Sequence, residues 1–422
     1  MSVETAPLRA VPGRLWFYLI ARLLDTAATA GLVTIVGKQI FDMATAQGAS
    51  EERVLFLLGV LGIVQFVPTF VFSPFAGSVA DRFDRRLVSA AGVGVYMALS
   101  LVLFIYIRTD PSDLLPIYSL MFLQGTTEAF QRPAARALPM DLSPENVITR
   151  VMALNAAAWQ GGTIVGPVIA GFLFTVTIAT PYLAFAFMFL VAGIALLLLP
   201  DPGVAKLITG RGGLQAIRDA VEGVRFVRGN PIISGAITLD LFAVLFGGAV
   251  ALLPAIAEDR LGVDAVGLGW LRAAIGIGAA TTTLSLAIRP LERRIGPILM
   301  GCVALFGLGT IALGATTSFA VAIAALLTLG AADAVSVYIR STIVPLATPE
   351  NMRGRVLAVE NVFIGASNEL GAFESGLTGS LFGLVGAVMF GGVATLVVVG
   401  ASIIVFPALA RIDSFNDVRT IT

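Results

Sequence analysis

The sequence predicts an all-α membrane protein of twelve transmembrane helices, built as two repeated six-helix halves. Three observations predict it. The chain is 57 % hydrophobic and only 13 % charged, with a mean hydropathy of +0.93, whereas soluble domains carry about twice that charged share. Twelve apolar runs approach or exceed the roughly 20 helical residues that cross a hydrocarbon layer of about 30 Å. A single offset of 205 residues, from Ser143 to Thr348, aligns short motifs in the two halves.

The runs lie at about 15–40, 54–80, 87–107, 114–138, 151–176, 181–199, 231–257, 263–288, 297–315, 318–345, 354–383 and 385–410. They are helices because backbone groups in lipid must be satisfied within the segment. The first run lacks a small-residue cleavage site and is expected to stay as a span. Basic residues cluster after spans 2, 6 and 8 (Arg82, Arg85, Arg86; Lys206, Arg211, Arg218, Arg225, Arg228; Arg289, Arg293, Arg294), and the opposite loops hold few. The positive-inside rule then places both termini in the cytoplasm.

The longest polar connection, 201–230, separates an N-terminal bundle (1–200) from a C-terminal bundle (231–422). Leu214, Ile217, Val221 and Val224 recur in it at helical spacing, with Arg218, Glu222 and Arg225 interleaved. That pattern predicts an amphipathic helix on the inner membrane surface.

In the repeat, Gly125 and Glu128 align with Gly330 and Asp333, Arg150 and Val151 with Arg355 and Val356, and Gly166 and Gly171 with Gly371 and Gly376. Chance supplies single glycines, not a whole register without a gap.

Several chemistries are excluded by composition. The one cysteine, Cys302, rules out an internal disulfide, and with no histidine there is no imidazole to shuttle protons or bind a metal. No nucleotide-binding loop, metal cluster or nucleophile–base pair is visible, so an enzyme, a cofactor, a metal site and a nucleic-acid partner are not expected.

Between spans 2 and 3, the stretch from Asp81 to Arg86 packs five charges into six residues. It resembles the loop signature of the major facilitator superfamily, glycine-x-leucine-alanine-aspartate-arginine-x-glycine-arginine-arginine/lysine. Gly77, Ala80, Asp81, Arg82, Arg85 and Arg86 match; Val79 replaces the leucine and Asp84 the second glycine. In span 5, Gly162, Gly166, Pro167 and Gly171 resemble the superfamily's antiporter motif, with Ala170 as the one departure. Gln124 and Gly125 match a further motif whose arginine is replaced here by Met121; Arg132 and Arg136 are candidate substitutes. Across nearly the whole chain, the sequence resembles the drug:proton antiporter branch that holds enterobactin exporters, macrolide efflux proteins and lysophospholipid transporters.

The resemblance implies two bundles related by a pseudo-twofold along the membrane normal, with spans 1, 4, 7 and 10 lining a cavity. Those spans carry Arg22 and Asp25, Glu128 and Arg132, Asp240, and Asp333 with Arg340. Ionisable groups inside spans are costly and mark functional paths. The spacings of Arg22/Asp25 and Glu128/Arg132 put each pair on one helix face, as self-neutralised struts or as working groups. Asp240 and Asp333 have no local basic partner at helical spacing and are expected to accept protons or a cationic substrate. Glu369, Glu374, Lys38 and Arg272 are further candidates along the path. Asp81, Arg82, Arg85, Arg86 and Glu360 are the expected gating residues, Asp81 against the positive N-terminal end of span 11 and Glu360 as a partner near Arg355.

The expected function is export of an amphipathic organic compound (drug- or siderophore-like) by proton antiport with alternating access, from a multi-pass monomer among the lipids of a bacterial inner membrane. The rivals are a lysophospholipid flippase without proton antiport and a non-transporting receptor or scaffold.

Overall fold

A computed structural model describes residues 12–144, 146–200 and 213–420. Every regular element among them is helical. Ten helices are long and apolar enough to cross a membrane. One of these, Arg353–Val405, is two spans run together across Gly383, whose φ of +71° breaks the helical path. Span 4, Leu115–Leu142, has the length but carries Glu128, Arg132 and Arg136, which lowers its hydropathy. Dividing the long helix and adding span 4 restores the expected twelve.

Three helix starts are set by short polar side chains. Asp84 accepts from the Arg86 amide at 2.8 Å and caps span 3 (Arg85–Ile107). The aspartate that replaces the signature's glycine therefore ends one helix and starts the next. Asn230 caps span 7 through the Ile232 and Ile233 amides, with Pro231 at the first helical position. Asp264 does the same for span 8 (Ala265–Ile288).

Span 7 is not one regular helix. It is α-helical over Pro231–Phe246, 3-10 over Gly248–Leu252 and π over Ile256–Arg260. Gly247 and Gly248 weaken the helix, and Pro254 removes a donor. The break brings Gly248 onto the Gly371 carbonyl of span 11.

Contacts divide the chain into two compact units, 1–38 with 67–213, and 39–66 with 214–422. The division does not follow the midpoint linker, because 39–66 groups with the second unit. Inside that unit Gly59 lies against Gly376, and a Cβ on Gly62 would meet the Ala372 Cβ at 2.8 Å. Phe56 meets Phe373 edge-on at 6.4 Å. Glu51 accepts from the Leu384 amide at 3.1 Å, just past the Gly383 break.

Glycines set the helix spacing in both units. In the first, Gly166 of span 5 lies on the Ala27 carbonyl, and a Cβ on Gly162 would stand 2.7 Å from the Thr26 Cβ. In the second, a Cβ on the repeat-equivalent Gly371 would meet the Val244 carbonyl at 2.8 Å. The antiporter-like motif thus packs span 5 on span 1, as its counterpart packs span 11 on span 7. Gly162, Gly166, Pro167 and Gly171 are all buried.

The linker helix, Gly213–Gly229, docks on the start of span 11. Gly223 makes room for the Arg355 carbonyl, Val227 is buried, and Glu222 pairs with Arg355. Val221, expected on the apolar face, is 54 % exposed, and the docking face is Gly223, Val224 and Val227. Lys206 and Arg211 lie outside the described residues.

Between spans 2 and 3, Arg85 grips Asp141 of span 4 with two bonds of 2.8 and 3.0 Å. Arg86 donates to the Leu199 carbonyl after span 6 at 2.6 Å and to Asp84 at 3.1 Å.

Two outcomes are expected from these contacts. Gly166→Ala and Gly371→Ala force a methyl into backbone, an overpacking loss of about 1–3 kcal/mol each, whereas Gly301→Ala meets nothing within 4 Å and leaves the thermal midpoint in detergent unchanged. For the Arg85–Asp141 strut, Arg85→Asp lowers the midpoint, and adding Asp141→Arg recovers most of the loss; absence of recovery would show that the pair is not what holds the two spans.

Candidate transport site

In the first unit, Asp25 of span 1 (Gly13–Ala46) is buried, and its Oδ2 accepts from the Gln131 Nε2 of span 4 at 3.3 Å. Gly92 of span 3 allows Gln131 this position: a Cβ there would stand 2.6 Å from the Gln131 Cγ. Oδ1 of Asp25 is buried with no hydrogen-bond partner, as is Nε of Arg22. The expected Arg22–Asp25 pair does not form an ion pair. Shared helix face is not contact at a spacing of three when a neighbouring span offers a better-aimed amide. Glu128 and Arg132 do pair, one turn apart on span 4. Nearby, Tyr18 donates to Asn155 of span 5 at 2.7 Å. Met121, where the related motif has arginine, is fully buried, so the arginine's place is taken by core.

The second unit gathers its charges across three spans. Asp240 of span 7 and Arg340 of span 10 (Phe319–Leu346) form an ion pair at 2.8 Å, with side chains only 7 % and 5 % exposed. Glu360 of span 11 approaches the same guanidinium at 3.9 Å. Asp240 has no basic partner on its own helix, as its spacing indicated; the partner comes from another helix, 100 residues away in sequence. Glu360 also has its nearest cation on another helix. It is buried beside Arg340 instead of joining Arg355, which is taken by Glu222 of the linker helix.

Asp240 and Asp333 line one cleft with Ser336, Cys302 and Phe306. Asp333 makes no ion pair among the described residues. Its repeat equivalent, Glu128, is neutralised by Arg132, but the position equivalent to Arg132 is Val337. Cys302 in this wall was not singled out from the sequence as a site residue; only packing of span 9 against spans 7 and 10 reveals it.

The remaining candidates are dispersed. Among the expected gating residues, Arg85 and Arg86 are engaged with spans 4 and 6 of their own unit, and Arg82 is exposed. The Asp81 side chain lies outside the described residues. Glu369 presents its backbone carbonyl to Gly62. Glu374 has a buried Oε1 without a hydrogen-bond partner. Lys38 lies 5.6 Å from the Phe174 ring centroid.

The family model of the Major Facilitator Superfamily matches residues 15–372. An uncharacterized MFS-type transporter of Bacillus subtilis, YfiS, is 26 % identical over 256 residues, spanning 60 % of this chain and 58 % of that protein. The enterobactin exporter EntS of Shigella flexneri is 25 % identical over 353 residues, 81 % of each chain. Among solved structures, a POT family transporter in complex with 5-aminolevulinic acid superposes with a TM-score of 0.73 at 13 % identity, covering 97 % of this chain and 100 % of its own. The xylose transporter XylE of E. coli gives 0.67 at 15 % identity, covering 97 % and 99 %. These structures share the fold. With the family model covering most of its length, the chain belongs to the major facilitator superfamily and is a multi-pass membrane transporter, not an enzyme.

Proposed function

We propose that the protein exports an amphipathic organic compound from the cytoplasm across a bacterial inner membrane in exchange for protons, by alternating access. The observation that carries this reading is Asp333, an acid with no ion-pair partner, facing a cleft beside Asp240 inside a membrane-length bundle. A carboxylate there is tolerated when water, a proton or a cation reaches it. Phe306 and Val303 give the same cleft an apolar wall. Export is favoured by the antiporter-like seam of Gly162 and Gly166 and by the likeness to enterobactin exporters at 25 % identity. Both termini lie in the cytoplasm in this reading, as the basic residues of its loops indicate, and the protein acts as a monomer.

The test uses proteoliposomes, an imposed pH step and three probes: ethidium, a catechol siderophore and lysophosphatidylethanolamine. Proton-driven flux of ethidium or the siderophore is expected, reduced roughly tenfold or more by Asp333→Asn. Equal flux in wild type and Asp333→Asn would remove that acid from the mechanism. Movement of the lysolipid alone, indifferent to the pH step, would establish a flippase instead.

A further inference from the structure

Three carboxylates and one guanidinium meet in the second unit, with Asp240 on span 7, Asp333 and Arg340 on span 10, and Glu360 on span 11. Arg340 bonds Asp240 at 2.8 Å, while Glu360 stands at 3.9 Å, beyond hydrogen-bond length. The guanidinium has five N–H donors, and its buried Nε has no partner. It is therefore under-used where it sits, with a second carboxylate at hand from a different helix.

We propose that Arg340 is a positioning residue that passes between Asp240 and Glu360, freeing Asp240 toward the cleft it shares with Asp333. A buried guanidinium cannot be left without a carboxylate, because breaking a buried pair strands an uncompensated charge. Arg340 must therefore keep at least one of the two acids, and with Nη2 on Asp240 and Nη1 toward Glu360 the balance between them can shift. A shift of about 1 Å brings Glu360 to the length of a charge-assisted bond. When a proton or a cation occupies Asp240, the attraction that holds Arg340 there falls, and Glu360 becomes the better partner.

The exchange has a direction through the fold. Glu360 is on span 11, five residues past Arg355, and Arg355 holds Glu222 of the linker helix. Occupancy of the cleft is thereby transmitted to the end of span 11 that carries the linker. The first half has no such device. The residue equivalent to Glu360 is Asn155, which accepts from Tyr18 in a neutral bond. The role of the exchange in transport rests on the proposed function, but its test needs no flux, so the two stand or fall separately.

The full-length protein is purified in detergent in an Asp333→Asn background, which removes the third acid. Thermal midpoints are measured for Asp240→Asn, Glu360→Gln and the double variant. Each single change is expected to cost about 4 °C or less, because Arg340 keeps one acid, and the double roughly 10 °C or more. Cys302, the chain's one cysteine, lines the cleft and reports on it through N-ethylmaleimide. Labelling is expected to quicken severalfold with Asp240→Asn, which leaves Arg340 on Glu360, and not with Glu360→Gln, which leaves it on Asp240. Additive losses in the midpoints, or Asp240→Asn as harmful as the double variant, would overturn the exchange, as would equal labelling in the two single variants.

Discussion

A charge placed inside a membrane-spanning bundle has to be answered by the bundle itself, since lipid supplies neither counter-ion nor hydrogen bond. Most of what distinguishes this chain's two halves follows from how each answers that demand. The first half gives each group a single partner. Glu128 has Arg132 one turn away, Arg85 is bonded by Asp141, and Asp25 is met by a neutral amide. The second half does it across helices. Arg340 is shared between acids of spans 7 and 11, and Asp333 is left facing a cleft.

Shared ion pairs of this kind require helices that approach closely and meet in register, and small residues permit it. Gly371 lets the broken stretch of span 7 sit on span 11, and Gly330 seats span 10 on Ile275 of span 8. Side chains that fill these contacts would push Asp240 and Glu360 away from the guanidinium between them. Packing and electrostatics are thus one problem here: the glycine seams set the separations at which the charges pair.

The parts of this architecture that were legible in the sequence are those governed by local rules. Span length, the 205-residue repeat, the linker helix and the Glu128–Arg132 pair all depend on spacing along one helix or on composition. The role of Asp84 as a cap is also local and fell within reach. The partner of Asp240 was not, because a pair separated by 100 residues depends on which faces of spans 7 and 10 meet. The same limit misled the reading of Glu360. Nearness in sequence suggested Arg355, while the turn of the helix aims Glu360 inward and leaves Arg355 for the linker. Arg22 and Asp25 failed in the opposite sense: their spacing allowed a pair that Gln131 from span 4 pre-empted.

The repeat carries the last step. Equivalent positions share a backbone environment, so differences between them isolate chemistry from fold. Glu128 and Asp333 are both acids, but the position of Arg132 is valine in the second half. Asn155 and Glu360 occupy one place, neutral in the first half and acidic in the second. The scaffold evidently needs neither an arginine at the first position nor a carboxylate at the second, since each half folds with the other choice. Removing a local arginine while adding a distant carboxylate converts a fixed pair into a shared one. In the first half Arg132 holds Glu128 on their common helix, whereas in the second a single arginine stands among three acids contributed by three helices. That surplus of acid, held where glycine-packed spans meet, resides in the second half of the duplicated bundle.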